Sequence, residues 1–65
     1  MKLFKLKRRF KEYKRGSQFY LVSESEFIGV KEYVLRTTDL KERLSISEKE
    51  LENFSFIKDV MKIDI

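Results

Sequence analysis

The alternation of apolar and polar residues is clearest in Leu44-Ser45-Ile46-Ser47, which has the period of a half-buried strand. Ser47 then fits a helix N-cap, because Glu50 lies three residues on and can reach back to complete a capping box. Ile46 before the cap and Leu51 four residues after it are placed for a hydrophobic staple. These signals predict one short helical turn over roughly Glu48 to Asn53, followed by an extended Phe54 to Ile57. Upstream, Gln18 to Ser23 is a strand by content, with Phe19 and Leu21 facing one way and Tyr20 and Val22 the other. Val30 to Thr37 is another, and its centre Tyr33-Val34-Leu35 is apolar on both faces, as expected of a central strand.

The segments between these strands read as connectors. Ser23-Glu24-Ser25-Glu26 contains no apolar residue and is expected to be a loop, closed by Phe27-Ile28-Gly29, where Gly29 allows a bulge or a positive-φ turn. Thr37 to Lys41 is a polar connector, and Lys58-Asp59 looks like a turn. Met61, Ile63 and Ile65 alternate with Lys62 and Asp64, as in an edge strand pairing with the N-terminus or a frayed tail.

Residues 2–15 admit two periods. With period two, Phe4, Leu6 and Phe10 share a face opposite Lys5, Lys7 and Arg9. With a helical period, Leu3, Leu6, Phe10 and Tyr13 form a stripe that Gly16 would terminate. Nothing before Leu3 caps such a helix, which favours a strand over roughly Lys2 to Arg8 and an irregular basic loop to Gly16.

Four or five short strands with one helical turn before the last predict an all-β chain. The spacing resembles an SH3-like small barrel: a long first loop at about Arg9 to Gly16, and a helical turn at Ser47 to Asn53 leading into the final strand. The resemblance is architectural and covers most of the chain. The SH3 ligand groove is not part of it, since Trp and an Ala-Leu-Tyr-Asp-Tyr run are both missing, which argues against recognition of proline motifs. The alternative is α+β, an N-terminal helix on a three-stranded sheet. Residues 1–65 make a single domain, too short for a comfortable core, although 42% hydrophobic residues are far from a disordered composition.

Charge adds the one feature with functional content. Residues 1–15 hold eight bases and one acid, whereas residues 16–65 hold seven bases and ten acids. The amino-terminal segment is therefore +7 and the remainder −3, which points to a polyanionic or acidic partner. Lys5, Lys7, Arg8, Arg9, Lys11, Lys14 and Arg15 are the candidates for neutralising phosphates, and Tyr13 and Tyr20 for stacking on bases. For each tyrosine the structural alternative is a ring at the rim of the core with its hydroxyl in water. The expected function is a non-enzymatic binding module for nucleic acid, of low sequence specificity.

Two other uses of the same segment are open. It can dock on an acidic protein surface, including that of a second copy in a homodimer, or lie on an anionic membrane as a basic amphipathic helix. The first of these is the main alternative, and membrane association is not expected. With neither His nor Cys, the commonest general base and the thiolate nucleophile are missing, and so are the usual zinc ligands. The carboxylates at Glu24 and Glu26 and at Glu48, Glu50 and Glu52 read as a solvated acidic face. No enzyme, cofactor, metal or small-molecule substrate is expected. No apolar run is long enough to span a bilayer, and Lys5 interrupts any secretory h-region, so a cytoplasmic location is the expectation.

Overall fold

A computed structural model describes residues 1–61. The chain is mainly β, with strands β1 (Lys2–Leu6), β2 (Gln18–Phe27), β3 (Val30–Thr37), β4 (Arg43–Ser47) and β5 (Phe54–Asp59). A 3-10 turn at Glu50–Asn53 joins the last two. All pairings are antiparallel within one sheet of order β4-β3-β2-β1-β5, so β5 returns to lie beside β1. Among the described residues β4 and β5 do not pair, and the sheet is open.

One face of the sheet carries the core. Phe4 and Leu6 from β1, Phe19 from β2, Tyr33 and Leu35 from β3, Ile46 from β4 and Phe54 from β5 form one buried cluster. Their period-two spacing places each on the same side of its strand, and the register sets Phe19 opposite Phe4, and Tyr33 opposite Ile46. Two register shifts modify the alternation. Val22 is an extra residue of β2 against β3, and Ile57 is one of β5 against β1. Because of the first, the core face of β2 switches from Phe19 and Leu21 to Glu24, which stands opposite Tyr33. The core therefore ends at Leu21 on β2, and the rest of the β2–β3 hairpin extends beyond it.

The capping box at Ser47 is present. Ser47 N–H donates to Glu50 Oε1 at 2.9 Å and Glu50 N–H donates to Ser47 Oγ at 3.1 Å. Ile46 belongs to the core cluster, and Leu51 packs against that cluster. The turn they fix is a single 3-10 turn, because Asn53 must hand the chain at once to Phe54, whose ring belongs to the core.

Several sequence expectations are corrected. The described residues contain no α-helix, which overturns the α+β alternative and the amphipathic-helix reading of the N-terminus. Leu3 is buried on the face of β1 opposite Phe4 and Leu6, outside the main cluster, so it does not share a stripe with Leu6. β1 stops at Leu6 rather than Arg8: Lys7 N–H still donates to Asn53 O at 2.8 Å, in register with β5, but Asn53 is the last residue of the 3-10 turn and offers no strand to pair with further on. Ser23 to Glu26 is strand, not loop: Ser25 pairs with Glu32 and Glu26 with Lys31, so backbone pairing to β3 holds a segment with no apolar residue. Lys58 and Asp59 belong to β5, paired with Leu3 and Lys2. Met61 lies outside any strand, and the alternating residues 62–65 fall outside the described part.

Two substitutions test this account. Ser47→Ala should cost about 1 kcal/mol by orphaning the Glu50 N–H, read as a lower denaturant midpoint at unchanged slope. Leu35→Ala removes about 2–5 kcal/mol. That is comparable with the about 3–5 kcal/mol a core of this size supplies, so its cooperative transition should be lost at room temperature.

Candidate nucleic-acid interface

The basic segment is the end of β1 and the loop of residues 7–17. The loop is closed at its base by Leu6 N–H to Ser17 O at 2.9 Å and Gly16 N–H to Leu6 O at 3.0 Å, with Gly16 at φ +93. Halfway along, Phe10 and Tyr13 exchange backbone hydrogen bonds of 3.0 and 2.9 Å, which makes Lys11-Glu12 a two-residue turn. Two rings pin this turn to the core. Phe10 meets Phe54 edge-on at 5.7 Å, and Tyr13 meets Phe19 edge-on at 5.0 Å. The apolar residues of the loop thus point inward, and its charged residues are left outside.

Lys5, Lys7, Arg8, Arg9, Lys11, Lys14 and Arg15 are all exposed. Among the described residues the one ion pair is Lys31 Nζ to Glu48 Oε2 at 3.7 Å, so none of these seven bases is bound to a carboxylate. Arg8 Nη1 donates to Asn53 Oδ1 at 3.2 Å, and Lys11 Nζ lies 5.5 Å from the centre of the Phe10 ring. The acidic residues Glu48, Glu50 and Glu52 do not neutralise the loop.

The two tyrosines differ. Tyr13 is a core-rim ring whose hydroxyl is not free in water: it donates to Glu42 Oε1 at 2.5 Å, tying the first loop to the β3–β4 connector. Its phenol is pushed from 10.0 up to about 12, first by that hydrogen bond, then by burial and by the negative charges of Glu42, Glu12 and Asp39. Its ring is half-buried and edge-on to Phe19. Tyr20 lies on the other face of the sheet, half-buried, opposite Leu3 on β1 and Arg36 on β3.

The register brings further bases to this face. Leu3 pairs with Lys58, Tyr20 with Arg36 and Arg36 with Arg43, so Lys58, Leu3, Tyr20, Arg36 and Arg43 run across all five strands in one transverse row. Lys5 stands next to this row on β1, two residues beyond Leu3. Arg36 is held by its Nη2, which donates to Leu40 O at 2.7 Å, while its Nε is buried without a partner. Sequence reasoning missed Arg36, Arg43 and Lys58. The first two flank the 37–42 connector symmetrically, a spacing that would have paired them had a hairpin been assumed there.

The connector itself is braced by Asp39, which accepts from Thr37 Oγ1 at 2.5 Å and Lys41 N–H at 2.9 Å. Those two bonds, in that order, hold its carboxyl below the usual range. No group of three or more potential metal-ligating side chains occurs among the described residues, and no helix there is long and apolar enough to cross a membrane.

The Tyr13–Glu42 bond has a pH signature. The folded-state phenol titrates above its unfolded value, so its contribution is complete below about pH 10 and is lost as the pH rises through about 12. Tyr13→Phe should therefore be less stable than the parent at neutral pH. Denaturant melts should show that gap narrowing between about pH 10 and 12.

Comparison with known proteins returned no match: no family model, no curated protein and no solved structure is similar to this chain at a significant level.

Proposed function

We propose that this chain is a small non-enzymatic binding module that holds nucleic acid through its phosphates, with low sequence specificity. The observation that carries the reading is the absence, among the described residues, of any carboxylate bound to the seven bases of β1 and the first loop. A loop of 11 residues from Lys7 to Ser17 with six bases and one acid, outward on an aromatic anchor, is a dense array of cations for counterion release. The transverse row adds Lys58, Arg36 and Arg43, with Tyr20 as the ring placed for contact with a base.

The architecture we assign is an SH3-like small barrel. The strand order with β5 beside β1, the long loop between β1 and β2, and the 3-10 turn before β5 support that assignment. The sequence lacks the residues that make the SH3 groove, so the fold serves as a scaffold for the basic loop and not as a peptide-binding cleft.

Gel-shift titrations at two salt concentrations test the function. About four phosphate contacts predict a roughly hundredfold loss of affinity between about 50 and 200 mM salt. Arg8→Glu combined with Arg9→Glu should weaken binding about tenfold or more at the lower salt and flatten the salt slope. Affinity that ignores salt, or no binding at low salt, rules the proposal out. Capture of an acidic protein in place of nucleic acid would transfer the same loop to protein recognition.

A further inference from the structure

The large apolar side chains left exposed among the described residues fall into two groups. Phe27, Ile28 and Val30, at 76, 84 and 69% exposure, form the tip of the β2–β3 hairpin. Phe56, Ile57 and Met61 lie on β5 and just beyond it. The tip has no core beneath it, since core contacts of β2 end at Leu21 and the hairpin closes six residues later with Phe27 opposite Val30. Ile28 and Gly29 both have positive φ, +52 and +76. A two-residue turn of that kind favours Asn-Gly or Asp-Gly, and a β-branched residue at the first position is strained. Ile28 is thus an unfavourable choice for the turn and gains almost no burial within the chain. A contact outside the chain accounts for it.

Charge identifies the occupant. The hairpin tip is flanked by Glu24, Glu26 and Glu32 against Lys31, a net −2, and Lys31 already lies 3.7 Å from Glu48. The β5 patch is flanked by Lys2 and Asp59 on the face that carries Phe56 and by Lys5 and Lys58 on the opposite face, so the edge as a whole is a net +2. Two apolar patches of opposite surrounding charge sit on one chain. We propose that the hairpin tip of one copy docks on the β5 surface of a second copy, head to tail. The two patches are different, so the contact is heterologous, and copies add in a row or close into a ring instead of stopping at a two-fold dimer. Three side chains at a tip cover less than the roughly 800 Å² per partner of a standard interface, so assembly is weak and concentration-dependent.

Sedimentation velocity without nucleic acid, over a range of protein and salt concentrations, reads this directly. The parent chain should grow beyond dimer with concentration, and rising salt should weaken it. A tip variant, Phe27→Thr with Ile28→Asn, and a patch variant, Ile57→Thr, should each self-associate about tenfold or more weakly. Their equimolar mixture should give a one-to-one complex, because each keeps the half the other lost. Ile28→Asn alone should raise the melting temperature while weakening assembly, which separates the effect from unfolding. A parent that stays monomeric at every concentration overturns the proposal. So does a closed dimer indifferent to Ile57→Thr, or a pair of variants that fail to combine.

Discussion

The structure depends on one aromatic ring. Phe19 is fully buried, and it meets Tyr13 edge-on from the first loop and Phe54 edge-on from β5. Phe10 also meets Phe54 edge-on, and Phe4 meets Phe56 in the same geometry. Edge-to-face pairs each add about 0.5–1.5 kcal/mol to the burial of the rings themselves. In a chain with no disulfide this cluster joins the elements that backbone pairing leaves apart. β2 and β5 are separated in the sheet by β1, and the loop of residues 7–17 belongs to no strand.

That cluster also explains how a basic loop is held in place without being neutralised. A segment carrying six bases in 11 residues would ordinarily be a mobile, self-repelling arm. Here two rings within the segment reach the core, the Tyr13 hydroxyl reaches Glu42, and the loop base is pinned to Leu6. The anchoring uses apolar surface, backbone groups and the Tyr13 hydroxyl, and among the described residues it leaves the cationic groups without a carboxylate partner. Order and charge are supplied by different side chains of one stretch.

β2 divides the molecule by chemistry. Near Gln18 it adjoins the basic loop, and near Phe27, about 30 Å further along if the strand were straight, it ends in an apolar tip with acidic flanks. The bulge at Val22 marks the boundary. Before it the strand contributes Phe19 and Leu21 to the core. After it the core-facing positions carry carboxylates, and the hairpin continues on cross-strand pairing alone.

The local rules were legible where neighbours in sequence are also neighbours in space. The Ser47–Glu50 box and β3 from Val30 to Thr37 follow from spacings of a few residues, and they stand as read. The basic loop was legible as a concentration of charge. Segments whose conformation depends on a distant partner were not. Ser23 to Glu26 looks like a loop because nothing in it is apolar, and becomes strand because β3 supplies the hydrogen bonds. Lys58 and Asp59 look like a turn and are held in β5 by Leu3 and Lys2, more than fifty residues away. The amino acid sequence by itself thus determined the capping box, β3 and the charge asymmetry, all of which are local or additive. Only the tertiary structure decided that Tyr13 is spent on the core and that Arg36, Arg43 and Lys58 share a row with Tyr20, because strand register couples residues that no local pattern connects.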